Sequence, residues 1–455
     1  MLKTPKKHFL KINFESFLII YILLQPFIDV ATSLCIRYIN SYFTIGILLR
    51  SLFLIFILIY SISISNKRWK RIIIIYCSAL FIYSILFFIN AFFNIGFNSF
   101  FTQLKSIIKT FYFSIILISL IPISINTHIN NKYLIYCLFG YTSILSISTF
   151  LGIAFDSYAD GSGAGKNGLF YAANEIGTIL CILMPFLFLN LIDSKLRIIK
   201  IINLIFLIFS SLWMGTKVPF LGLILSLIVS FIVCIINIIK RKNIKEYLYK
   251  ISAIILLFFI VFTSIKYSPI GKNLGISINK ITNITEKNSS KSNVTRTSTS
   301  TQPNIETVIL SSRDIYYKNT LKEYKNSSIP SKILGIGYLN NQNGIISQRK
   351  TIEIDYFDIL FSNGIIGFIL FFTPLLILLI YIIKLIWKQK FLIFENNIIF
   401  YIYTIFICLI IARLAGHIFT APAVNFYLAL TISNLINILK KDKRKNEIIQ
   451  SKKNK

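Results

Sequence analysis

Apolar runs of about twenty residues recur along nearly the whole chain, and this recurrence constrains the fold more than any other feature. An α-helix rises 1.5 Å per residue, so such a run spans a hydrocarbon layer about 30 Å thick. The runs fall near 14–36, 42–64, 72–93, 107–125, 133–155 and 169–192, then in a stretch ending at Trp213. They resume near 218–239, 251–265, 365–386, 397–415 and 423–439. The reading is all-α: a polytopic transmembrane helical bundle of about twelve spans. With 55% hydrophobic residues and a mean hydropathy of +0.71, a chain of this size is not a soluble protein.

The formal charge of +31 would fit nucleic acid in a soluble chain. Here the cations fall mainly in short loops: Lys3, Lys6, Lys7 and Lys11, then 66–71, 193–197, 240–250, the end of span ten and the tail from Lys440. Twelve spans put all of these on one side. The excess of Lys and Arg in cytoplasmic loops then predicts a multi-pass membrane protein with both termini in the cytoplasm, meeting anionic lipid and no nucleic acid. The six cysteines sit in apolar runs without a C-x-x-C pair, and the three histidines are scattered. Neither a disulfide framework, a metal site nor a cofactor is indicated.

One region breaks the pattern. Between an apolar region at 1–265 and another at 364–439 lies a polar insert at 266–363, and a basic tail, expected to be disordered, closes the chain at 440–455. The span count puts the insert outside, with the Gly-rich loop 156–167, the turn at Lys217 and the loop at Gly416-His417. Within it, 279–304 is rich in Asn, Ser, Thr and Lys and reads as flexible. From Glu306, Ile309, Leu310, Ile315, Tyr316, Leu321 and Tyr324 recur at helical spacing. Residues 331–340, with Leu334-Gly335-Ile336-Gly337-Tyr338 among them, read as a turn packed on the membrane surface.

Four constellations can carry chemistry. Arg313 can clamp a diphosphate with its guanidinium fork, or be a surface arginine paired with Asp314 or Glu323. Glu353, Asp355 and Asp358 re-enter the apolar phase within six residues. In a helix 353 and 357 share a face, and 355 and 358 point together. Desolvation at a membrane boundary raises a carboxyl's affinity for protons, which suits a general base; acids at a helix start are the plainer reading. Lys166, with Asn174 and Glu175 one turn into the next span, can hold a lipid-linked phosphate; the loop before it fails the phosphate-loop pattern, because Asn167 stands where Ser or Thr is required. Lys217, Arg413 and His417 sit on the outer side and suit an anionic headgroup, with snorkelling as the plainer account.

Together these residues resemble the O-antigen ligase and O-antigen polymerase superfamily of bacterial membrane glycosyltransferases. The tract Glu353-Ile-Asp355-Tyr356-Phe357-Asp358-Ile-Leu360 with Gly364 and Gly367, the segment Leu310-Ser-Ser-Arg313, Leu334-Gly335-Ile-Gly337, and Gly168-Leu-Phe170 to Asn174-Glu175-Ile-Gly177 carry the resemblance over about 150–435. Ligases have a histidine where this chain has Glu353, which favours a polymerase. The resemblance implies a GT-C-like fold, a polyprenyl-diphosphate-linked glycan donor, a glycan acceptor and metal-independent transfer on the outer side. It also implies catalytic roles for Arg313 and for Glu353 or Asp355, and substrate binding by Lys166, Asn174, Lys217, Asp358, Arg413 and His417. A flippase or chain-length regulator is the partner to expect. The alternatives are a ligase and, in another class, a lipid-linked glycan transporter.

Overall fold

A computed structural model describes residues 6–453 except 40–43, 97–99, 128, 159–160, 196, 241–242, 277–312, 343–344 and 389–393. Helices α1 (Lys6–Leu34), α2 (Ile45–Ile64), α3 (Lys67–Ile95), α4 (Phe100–Asn126), α5 (Asn131–Phe150), α6 (Ala173–Asp193), α7 (Ile198–Trp213), α8 (Lys217–Ile239) and α9 (Ile244–Ile265) precede the insert. The insert holds α10 (Arg313–Asn326), α11 (Ile329–Leu334) and a hairpin, β1 (Leu339–Gln342) and β2 (Ile345–Gln348). It is followed by α12 (Asp355–Lys388), α13 (Asn396–Leu414) and α14 (Pro422–Lys453). Among the described residues eleven helices are long and apolar enough to cross a membrane. The sixteen-residue α7 is shorter, but it carries the chain from the end where α6 stops to the end where α8 starts. It is tied to α5 through Asn203 Nδ2 to the Ile135 carbonyl at 3.2 Å and Ser210 Oγ to the Thr142 carbonyl at 3.3 Å.

Helices α4, α6 and α14 form the centre and are mostly buried, whereas α3 and α9 present apolar side chains such as Phe81 and Phe259 outward, as lipid contact requires. Polar bonds fix the two ends of the bundle. At one end Asn237 meets Asn396 at 2.9 Å, Asn396 meets Asp193 at 2.5 Å and Lys250 meets the Ile192 carbonyl at 2.6 Å. The loops at this end are the basic ones. At the other end Asn94 meets Ser331 at 3.1 Å and the Gln103 carboxamide accepts from the Tyr338 N–H at 3.1 Å, so the insert lies here.

Two expectations change. The tail from Lys440, expected to be disordered, continues α14 to Lys453, since its lysines, glutamate and arginine are good helix formers. The turn at 334–338 is not laid on a surface but wedged against α3, α4 and α12.

That wedge positions the site. Helix α12 breaks at Gly364, with φ 66° and ψ −174°, so the carbonyls of Phe361 and Ser362 lose helical partners. They accept instead from the N–H groups of Ile336 at 3.0 Å and Gly337 at 3.1 Å. Tyr83 Oη bridges the Asn363 carbonyl at 2.8 Å and the Leu334 carbonyl at 3.1 Å. The backbones approach so closely that a Cβ on Gly335 would strike Ser362 and one on Gly364 would strike Ile333. Above the break Ile352, Ile354 and Phe361 form a small apolar cluster under Tyr316, Tyr317, Leu321 and Tyr324 of α10. Ile315, expected on that face, is 43% exposed instead, and Ile309 and Leu310 lie outside the described residues, as does 279–304.

Candidate active site at the start of α12

Six of the nine candidate side chains gather where the insert re-enters the bundle. Arg313, the first residue of α10, donates from Nη2 to Glu353 Oε2 at 2.7 Å. The alternative partner Glu323 is taken by Arg349, whose Nη2 and Nε reach its two carboxylate oxygens at 2.7 and 3.2 Å. Arg349 also donates to the carbonyls of Ile336 and Gly337, so it braces α10 against the wedge. Sequence inspection missed it, because an arginine in a polar loop carries no signal until its partners are known.

Glu353 precedes the helix and has φ 62°, a left-handed backbone that non-glycine residues seldom adopt. The expected sharing of a helical face by 353 and 357 therefore does not occur. The neighbouring strand of backbone explains the geometry: a Cβ on Gly416 would lie 2.7 Å from the Glu353 carbonyl oxygen. The next residue, His417, also has a left-handed φ of 63°. Its Nε2 is buried without a hydrogen-bond partner and lies 4.0 Å from Glu353 Oε2. That is beyond hydrogen-bond length and within easy Coulomb range. Glu353 keeps 37% of its side chain exposed, against 13% for Arg313.

The other two acids do different work, and they do not point together as helical spacing predicted. Asp355 is fully buried and turns toward the loop between α13 and α14. It accepts from the N–H groups of His417 at 3.0 Å, Ile418 at 2.8 Å and Phe419 at 2.8 Å, and from Thr420 Oγ1 at 2.8 Å. Four donors saturate this carboxylate and make it the anchor that holds His417 in place. Asp358 folds back on its own helix start, accepting from the N–H of Ile352 at 2.8 Å and of Glu353 at 2.9 Å. It thereby satisfies orphan donors and fixes the strained Glu353 backbone. Arg413 is placed over the Phe357 ring at 5.1 Å. Lys350 adds a cation nearby; its bond to Tyr316 Oη at 2.5 Å raises its pKa.

Lys166, Asn174 and Lys217 belong to a second locus at the same end. The Gly-rich loop docks on the α7–α8 turn through the Lys166 N–H to the Trp213 carbonyl at 2.9 Å. Asn273 clamps both strands, donating to the carbonyls of Ala164 at 2.7 Å and Gly215 at 2.8 Å and accepting from the Ala164 N–H at 2.8 Å. Gly165 and Gly215 have positive φ, and a Cβ on either would strike the opposite strand. Lys166 Nζ pairs with Asp156 at 2.7 Å, both well exposed. Asn174 is the second residue of α6 and Lys217 the first of α8, helices that pack closely at Gly177 and Pro219. Arg37, whose guanidinium lies 3.9 Å from the Phe155 ring centre and 5.3 Å from that of Tyr171, flanks this loop and was not foreseen.

Fold and site together define a polytopic helical membrane protein that sets an arginine–carboxylate–histidine group at one end of its bundle. Over residues 11–442 the sequence matches the family model described as O-antigen ligase like membrane protein. The chain therefore belongs to the O-antigen ligase-like membrane protein family, whose role is in joining polysaccharides at membranes. No curated protein matches the chain.

Proposed function

We propose that the protein is a polysaccharide polymerase, joining polyprenyl-diphosphate-linked oligosaccharide repeat units on the outer side of the bacterial cytoplasmic membrane. The observation that carries this reading is the Arg313–Glu353 contact of 2.7 Å on an exposed carboxylate, with His417 at 4.0 Å. In the resting site the two charges neutralise each other. A donor diphosphate competes for Arg313, since a guanidinium fork binds phosphate oxygens in a bidentate manner. Glu353 is then free to accept a proton.

The acceptor hydroxyl oxygen attacks the anomeric carbon of the donor sugar, and its proton passes to Glu353. The bond from that carbon to the diphosphate breaks, and polyprenyl diphosphate leaves with the electron pair. Arg313 offsets the charge as it develops, a contribution that mutagenesis of fixed donors values at about 10²–10³ in rate. Asp355 does not act as base in this scheme, because its oxygens are already engaged by four donors. Lys166, Lys217 and Arg413 bind the anionic donor in this scheme, and the excess of cations in the loops at the opposite end supports an orientation with both termini in the cytoplasm.

A ligase is the second reading, favoured by the histidine that the α13–α14 loop brings beside Glu353. Purified protein in vesicles given only lipid-linked repeat units separates the readings. A ladder of lengthened chains that disappears in Arg313→Ala and Glu353→Gln supports the polymerase. Transfer only when a different acceptor is added supports the ligase, and translocation without bond formation supports the transporter. A cysteine at position 326 labelled from outside intact cells by an impermeant maleimide would support the orientation; labelling only after lysis would overturn it.

A further inference from the structure

We propose that the basic end of the bundle holds a specific binding site for an anionic phospholipid with a hydroxylated headgroup, of the phosphatidylglycerol kind. The site is a cavity of about 720 Å³ between α5, α6 and α7, at the end opposite Glu353. Its mouth carries Lys132, Lys195 and Arg197, and its walls are Ile135, Phe139 and Ile199. A cationic mouth over an apolar wall is the chemistry of a lipid headgroup and the start of its chains, and basic pockets between spans take anionic headgroups.

Two observations make this more than a basic loop. Lys200 commits its ammonium to the loop itself, donating to Ser194 Oγ at 2.5 Å, the Lys195 carbonyl at 2.7 Å and the Asn190 carbonyl at 3.3 Å. It shapes the mouth and supplies charge, leaving contact to its neighbours. Among the described residues neither the Lys195 ammonium nor the Arg197 guanidinium makes an ion pair or a hydrogen bond; only their carbonyls are used, on Lys200 and Ile201. The nearby acids are engaged elsewhere: Asp193 by Asn396 at 2.5 Å, and Glu246 by Lys250. The second observation is Asn203, 2% exposed, which lines the cavity. Its Nδ2 is used on the Ile135 carbonyl, while its Oδ1 is buried with no donor. A buried acceptor without a partner is costly. A headgroup whose phosphate sits among the cations can give Oδ1 the hydroxyl it lacks. A phosphate alone cannot, since the oxygen needs a donor.

The test is lipid retention by the full-length protein, purified in detergent and weighed by native mass spectrometry after equilibration with defined lipids. Phosphatidylglycerol is expected to stay bound at least about tenfold more than phosphatidylcholine, and more than phosphatidic acid, which has the phosphate without the glycerol hydroxyls. Neutralising Lys132, Lys195 and Arg197 together to Gln should weaken phosphatidylglycerol binding by roughly a hundredfold, as expected for three surface cations. Asn203→Ala should erase the preference over phosphatidic acid while leaving the preference over phosphatidylcholine. Equal retention of phosphatidylglycerol and phosphatidylcholine by the unmodified protein would overturn the site. So would a charge-neutralised protein that still elutes as a monodisperse species and still holds phosphatidylglycerol. Displacement of phosphatidylglycerol by equimolar polyprenyl diphosphate would transfer the site to the substrate lipid and overturn the assignment to phospholipid.

Discussion

Two arginine–carboxylate pairs of the same chemistry sit in this molecule under opposite conditions. Arg50 of α2 and Asp29 of α1 are joined inside the bundle, each about a tenth exposed. Arg50 also reaches Gln25 Oε1 at 3.2 Å, and Asp29 accepts from Tyr141 Oη at 2.6 Å. Gly46 leaves the space they need, since a Cβ there would press on Arg50 and Thr32. Arg313 and Glu353 meet at the bundle's edge, where the carboxylate is more than a third exposed and rests on strained backbone. A buried pair with both carboxylate oxygens engaged ties helices together. A pair with one open member can exchange partners, and that difference separates a structural ion pair from one fit for the proposed reaction.

The largest effect should come from breaking the closed pair. Asp29→Asn leaves Arg50 charged and buried without its anion, at a cost of about 3–5 kcal/mol. Thermal unfolding followed by fluorescence-detected size exclusion should show it as loss of monodisperse protein. Replacing both members by Leu should restore most of the stability; failure to do so would mean that the pair does more than hold helices.

The open pair should behave in the opposite way. Arg313→Ala is expected to slow sugar transfer by about 10²–10³ while leaving the unfolding temperature close to that of the unmodified protein. An equal fall in stability and rate would make Arg313 a second strut and erase the contrast. Asp355→Asn tests the anchor between the two. An amide keeps the shape but loses the charge and an acceptor, at a cost of about 1–3 kcal/mol, and His417 should loosen with it. The smallest effect concerns the strained backbone. His417→Asn, an amide that tolerates left-handed φ, should hold stability to within about 0.5 kcal/mol, while His417→Val should cost about 1–2 kcal/mol. Comparing the two melting curves checks it.

The spans were legible in the sequence because each helix must bury or expose apolar surface over its whole length, and composition alone reports that. The break in α12 was hidden for another reason: Ser362-Asn363-Gly364 reads from sequence as the end of the polar insert, and only the φ of Gly364 and its neighbours show that one helix runs through it with a kink. The strands at 339–342 and 345–348 went unread because their residues are mostly polar and lack alternation, although the Asn343-Gly344 pair between them is a hairpin signal in the sequence. At the site, residue types were readable and directions were not. Glu353, Asp355 and Asp358 announce themselves as acids at a membrane boundary, yet helical spacing assigned them wrong faces. Asp355 is aimed by three N–H groups some sixty residues away in the chain, and Asp358 by the helix start it caps. Arg349 and Asn273 stayed hidden because neither sits in a motif itself and each acts on backbone carbonyls far away in sequence or brought close only by the fold.

The break at Gly364 has a mechanical consequence. Helix α12 completes its hydrogen bonding with amides borrowed from the 336–337 turn, and that turn is braced by Arg349 to α10. Straightening the helix would therefore cast the whole braced segment adrift, and lifting that segment would leave bare carbonyls inside the bundle. The roof over Glu353 and the helix beneath it must travel as one piece, so any opening that admits a bulky lipid-linked glycan has to occur along the other walls.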